Sequence, residues 1–161
     1  MLFHCGEAPA SGYHIYRVSG AAKLGFMFLL AGAGGGGTDF FSSAGSLVGN
    51  TWYNIVVTMD RDGSARAYIN GLSQGSRNIA LYQGDIQNGS SLKIGAQSSS
   101  LNQLDGILDE VRIYHEILSS ELINQEYYSG INNLLANNQI DNNEFVQRLV
   151  ELKDNLSQAN D

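Results

Sequence analysis

Only one cysteine, Cys5, and three histidines, His4, His14 and His115, occur in the 161 residues, so neither an intramolecular disulfide nor a Cys/His zinc cluster holds this chain together. The cysteine count leaves the compartment open, because exported bacterial domains often lack disulfides. Positive charge is equally scarce. Nine Lys and Arg stand against sixteen Asp and Glu, a net charge of -7, which removes nucleic acid as an expected partner and anionic membrane with it, since both reward clustered cations. Charged residues are only 16% of the chain while hydrophobic ones are 43%, so wholesale disorder is not expected and the length suits a single core.

Two segments imitate known signals, and their context predicts another reading for each. Residues 21–34 read AAKLGFMFLLAGAG, a lysine and an apolar run like the heart of an export signal, yet Glu7, Pro9, Tyr13, Tyr16 and Arg17 precede it. Leu24 to Ala33 is also shorter than the ~20 apolar residues that span a bilayer, so membrane insertion is not expected and a buried strand is. The run from Gly32 to Gly37 satisfies G-x-G-x-x-G, but a phosphate cradle needs a helix to begin there. Thr38, Asp39, Phe40 and Phe41 follow with no helical period, so a glycine-rich loop between strands is the expectation.

What the chain has in quantity is short alternating runs separated by turn chemistry. Tyr13 to Val18 alternates, Leu24 to Leu30 is apolar on both faces as in an interior strand, and Trp52 to Met59 is rich in aromatic and β-branched residues. Asp60-Arg61-Asp62-Gly63 turns the chain into Ala65 to Ile69, which stops at Asn70-Gly71, a dipeptide suited to positive φ. Further strands are expected at Ile79 to Leu81, Leu92 to Ile94 and Ile107 to Tyr114. With nineteen glycines, this pattern predicts an all-β fold of antiparallel sheets.

Helix is expected only towards the end. Ser119 precedes Glu121, Leu122 and Ile123 as an N-cap, and the turn chemistry of Ser129-Gly130 predicts a stop. An asparagine-rich linker follows, with apolar islands at Ile131, Leu134 and Leu135. Asp141 and Glu144 then have capping-box spacing, and Phe145, Leu149, Leu152 and Leu156 draw one apolar stripe. That stripe either lies on the sheets or joins copies of the chain into a homo-oligomer.

Five blocks also carry a resemblance: Trp52 to Asp60, Ala67 to Gly71, Leu92 to Gly95, Asp105 to Tyr114, and Ile117 to Leu122. Their order and spacing resemble the laminin-G-like, concanavalin A-like lectin/glucanase superfamily over about Tyr13 to Tyr128. The resemblance implies a jelly-roll sandwich of two antiparallel sheets over residues 1–130, abbreviated at its N-terminal strands, with a helical tail at 131–161. It also implies that Trp52 and Tyr68 pack in the core.

Alternation along Ile107 to Tyr114 puts Asp109 on the same side as Ile107, Val111 and Ile113, the side expected to face inward. A buried carboxylate has to be paired or coordinated. Relatives use an acidic residue near this strand to help hold structural Ca2+, so Asp109 is either a metal ligand or an acceptor of backbone N–H groups or an arginine. The segment Gln97 to Gln103, where one branch of the family carries a calcium loop, has no acidic residue. Glycoside hydrolysis is not expected: the E-x-D-x-E strand motif of the glucanase branch is missing. Along one strand Asp105 and Asp109 are ~13 Å apart, against the ~5 to 9.5 Å of glycosidase pairs. His4 and Cys5, near the start of the chain, form no readable catalytic set.

Sugar recognition in such sandwiches uses aromatic rings flanked by amide and guanidinium donors, and Tyr16, Arg17, Arg66, Asn102 and Gln103 are the residues of those types on proposed strands and loops. The expectation is a non-catalytic recognition module, secreted or at the cell surface, binding carbohydrate or an extracellular protein. A structural or assembly domain of a cell-surface or phage protein is the second reading and a glycan-cleaving enzyme the third.

Overall fold

The computed structural model describes residues 3–5, 12–18, 23–29, 37–42, 47–83, 91–96 and 102–158, and in it the alternating segments pair into antiparallel ladders. β1 (Phe3–Cys5), β2 (Gly12–Val18), β3 (Lys23–Leu29), β4 (Gly37–Phe41) and β8 (Lys93–Ile94) form a five-stranded sheet in the order β4-β3-β2-β1-β8. β5 (Ile55–Met59), β6 (Ser64–Ile69) and β7 (Leu72–Asn78) form a three-stranded sheet in chain order. His4 and Cys5, for which the sequence offers no catalytic set, lie in β1 between β2 and β8. Residues 32–36 of the glycine run and 97–101 of the loop before Asn102 lie outside the described residues.

The sheets are joined through side chains that alternate towards one another. Ala65, Ala67 and Ile69 on β6 are buried; Tyr13 and Ile15 of β2 and Val57 of β5 pack in the same clusters, together with Leu24, Leu47 and Ile79. Complete burial of a side chain such as Ile79 is worth about 1.5–3 kcal/mol. Turn chemistry sets the register. Asp60 accepts N–H bonds from Asp62 and Gly63 at the β5–β6 turn, while Asn70 and Gly71 take φ of 54° and 76° at the β6–β7 turn.

Two expected strands differ. Ile79 to Leu81 is a turn: the Ile79 and Ala80 N–H groups both donate to the Gly63 carbonyl, burying Ile79 and leaving Leu81 91% exposed. The strand is β7 instead, whose polar Ser73, Gln74, Ser76 and Arg77 hide its character because it is an edge strand with little to bury. Residues 107–114 form no strand either; among the described residues no ladder takes them in, and Val111 and Ile113 are 42% and 64% exposed. Glu110 at φ 51° breaks the alternation on which the inward face depended.

α1 (Ser120–Ala136) starts as expected, with Leu122 N–H donating to Ser119 Oγ, but runs past Gly130 through Asn132 and Asn133. The reason is spacing: Ile123, Tyr127 and Ile131 recur every four residues, and Leu134 and Leu135 extend the stripe. α2 (Asn142–Gln158) is capped by Asp141, which accepts the Glu144 N–H at 2.8 Å. The Glu144 carboxylate turns forward to Arg148, so only half of a capping box forms.

The helical pair is fastened to the β6–β7 turn and the approach to β5. Tyr127, Ile131, Ile140 and Leu152 form a buried cluster that takes in Leu72. Arg148 is buried; its guanidinium donates to Glu144 and, at 3.0 Å, to the Trp52 carbonyl. Burial works to lower the Arg148 pKa, but the bonds with Glu144 and Tyr127 outweigh it and hold it above the ordinary value. Burial raises the Tyr127 hydroxyl above its ordinary value of 10.0, partly opposed by Arg148.

Three outcomes follow from this docking. A Cβ on Gly71 would lie 2.7 Å from Asn124 Oδ1 and 3.2 Å from Leu152, at a φ hostile to L-residues; Gly71→Ala should therefore lower unfolding stability by about 2 kcal/mol in urea melts. Arg148→Met should lower it by about 2–3 kcal/mol, since Trp52 and Glu144 lose a donor, although Glu144 is partly solvated; Arg148→Lys should restore little, lacking the fork. The Tyr127 pKa is raised on folding, so the associated stability is complete below the unfolded value and is lost as pH rises through the folded one. Melts from neutral pH to about 11 should show that loss in the parent and a shallower one in Tyr127→Phe.

Candidate functional site

Tyr13 and Ile15 pack in the shared core, so alternation along β2 turns His14 and Tyr16 to the opposite face of the five-stranded sheet. Tyr16 is half-buried there. Across the ladder it faces Gly25 on β3, which offers no side chain, and Phe41 on β4 takes the next position at the same level. One rung away, His14, 8% exposed, pairs with His4 on β1 and Met27 on β3. The aromatic–glycine–aromatic row at Tyr16, Gly25 and Phe41 was not singled out from the sequence, because it exists only once the β2–β3–β4 register is set.

The other sequence-derived candidates divide. Arg17 is exposed but sits on the core-side parity of β2, opposite Leu24. Arg66 is exposed on the three-stranded sheet, between a buried Thr58 and an exposed Ser76, on the side of β6 opposite to Ala65 and Ala67. Asn102, at φ 50°, and Gln103 are exposed; the adjoining Leu104 N–H donates to Gly95 at 2.7 Å and ties this turn to the end of β8. The structure thus associates Tyr16 and the Asn102–Gln103 turn with one sheet, and brings neither Arg17 nor Arg66 to them. Tyr68 is buried as expected, and Trp52 is half-buried.

Asp109 is exposed, contrary to the inward placement expected of it, because the strand that would have carried it inward is not formed. Its carboxylate accepts the N–H of Glu110 at 2.8 Å. Among the described residues no group of three or more His, Cys, Asp or Glu side chains is arranged to hold a metal ion, so Asp109 is not accompanied by such a ligand set. The strand-based separation of Asp105 and Asp109 lapses with the strand.

Beside Asp109, Arg112 bonds Glu110 and reaches Glu126 on α1. Hydrogen bonds with Tyr114 and Glu110, then the charge of Glu126, hold its pKa above the ordinary arginine value. Glu121 in the first turn of α1 is held below the ordinary carboxylate value by its own backbone N–H and by Ser119. No described helix is long and apolar enough to cross a membrane.

No curated protein matches the chain. The binding domain of Paraclostridial Mosquitocidal Protein 1 is a similar solved structure: 22% identity, TM-score 0.61, covering 81% of this chain, which spans 31% of that one. An S-layer domain-containing protein from Clostridium thermocellum aligns at 20% identity over 77% of this chain and 67% of its own, with a TM-score of 0.36. A family model described as the concanavalin A-like lectin/glucanases superfamily matches residues 2–124, and its laminin G class accounts for the antiparallel sheets seen here: the chain belongs to this family.

Proposed function

We propose that the domain is a non-catalytic recognition module of the jelly-roll type, secreted or displayed at a cell surface, that binds a glycan on the face of its five-stranded sheet that carries Tyr16. The observation that carries this reading is the row Tyr16, Gly25 and Phe41. A pyranose ring stacks on an aromatic face, and a glycine next to that aromatic leaves room that any larger residue would fill. Asn102 and Gln103 are the amide donors associated with the same sheet. The superfamily hosts many functions on one fold, so the site and not the fold supports the choice. The solved relative with a TM-score of 0.61 is itself described as a binding domain.

A second reading, assembly, is favoured by one feature: α2 leaves Val146 and Val150 56% and 50% exposed, one helical turn apart. Removing residues 139–161 is a poor test of it, because Arg148 and Leu152 belong to the core. Val146→Glu with Val150→Glu leaves that packing intact and should abolish any sedimenting oligomer if α2 joins copies.

Glycan-array screening followed by calorimetry tests the principal reading. Tyr16→Ala and Gly25→Val should each weaken the best glycan about tenfold or more, equivalent to about 1.4 kcal/mol, while Arg66→Ala leaves it unchanged. An array with no ligand, or binding indifferent to both substitutions, would reject this site. Loss of binding in EDTA would add Ca2+ to it, and polysaccharide hydrolysis by the purified domain would reject the non-catalytic assignment.

A further inference from the structure

Three strands of the five-stranded sheet bring together a row of donors that no stretch of the sequence contains. His14 on β2 lies directly opposite His4 on β1 and, on its other side, directly opposite Met27 on β3. Lys93 on β8 and Asp39 on β4 close the row at its two ends. Residues directly opposite across an antiparallel ladder share a face of the sheet, with Cβ atoms about 4.5–5.5 Å apart. Two imidazoles and a thioether are therefore carried side by side, one rung from the row that holds Tyr16.

Such spacing suits one shared ion. A metal held by imidazoles sits about 2.0–2.1 Å from each nitrogen, so ligands rooted one strand apart can close on it. Pairing within a sheet also fixes the separation of the three backbones before any ion arrives, which lowers the ordering cost of binding. His14 is 8% exposed, so an ion bound to it is largely shielded from water, and a weak ligand such as a thioether then competes better.

The donor set selects the ion. Ca2+ and Mg2+ take oxygen ligands, and Asp39 is the one carboxylate in the row. Structural zinc takes four ligands, commonly with thiolate among them. Cys5, the one thiol of the chain, has the other parity of β1, opposite Tyr13, which packs in the core. Thioether sulfur favours Cu(I), which is satisfied by two or three soft or borderline donors and for which imidazole is also suitable. Lys93 and Asp39 offset one another in charge, so ligand type decides. We propose that His4, His14 and Met27, brought level by the register of β1, β2 and β3, form a site for Cu(I). This site stands apart from the Tyr16–Gly25–Phe41 row and does not rest on glycan binding.

The probe is Cu(I) itself, kept reduced in the absence of oxygen and presented to the whole domain with bicinchoninate as competing chelator. The domain should withdraw the ion from the chelator. His4→Gln and the volume-conserving Met27→Leu should each weaken binding about tenfold or more. X-ray absorption should find nitrogen and sulfur around the copper in the parent and nitrogen without sulfur in Met27→Leu. His14 is buried, so the unsubstituted domain supplies its test: Cu(I) is diamagnetic, and its addition should shift the imidazole NMR signals of His4 and His14 while leaving that of His115 in place. Cys5→Ser and His115→Gln should leave the affinity unchanged. The proposal is overturned if the domain takes no Cu(I) from the chelator, if Met27→Leu alters neither affinity nor the sulfur signal, if the His4 and His14 signals stay in place, or if Cys5→Ser or His115→Gln abolishes binding.

Discussion

The structure depends on the packing of side chains between its two sheets. Ala65 and Ala67 occupy the inward positions of β6, the central strand of its sheet, where they pack with Tyr13, Ile15, Leu24 and Val57. Small side chains on one layer accept large ones from the other, which is how facing sheets reach interior packing density. Larger residues at either position would force the layers apart. With the layers held, Tyr16 and Arg66, of the opposite parity on their strands, come to lie on separate faces.

The helices extend this arrangement by unusual means for so acidic a chain. Their apolar stripe covers the β6–β7 turn, but the fastening is a buried guanidinium, Arg148, reaching across ninety-six positions to the Trp52 carbonyl. Charge buried in this way is tolerated only when its donors are satisfied, and Glu144, Trp52 and Tyr127 together satisfy it. Glycine at position 71 then serves twice, by accepting the turn's positive φ and by letting α1 and α2 approach.

Local chemistry made several elements readable in advance. The Asp60–Gly63 and Asn70–Gly71 turns, the Ser119 cap and the Asp141 cap each depend on residues within four positions, so sequence expectation and structure agree there. β7 escaped notice because an edge strand has no apolar face to advertise. Residues 107–114 were misread for the opposite reason: their alternation is strand-like, but a strand exists only where a neighbour supplies the ladder. The exposed position of Asp109 is the direct result.

Family membership and the all-antiparallel character were written in short-range signals: turn dipeptides, period-two alternation and strings such as Ala67 to Gly71, all of them determined within a few residues of chain. Which side chains meet was decided by the fold alone. Tyr16, Gly25 and Phe41 come level because hydrogen-bond register between separate strands puts them there, and Arg148 finds Trp52 because packing carries α2 across the molecule. Pairing between distant segments depends on all of the intervening geometry, whereas a cap or a turn depends on its own residues.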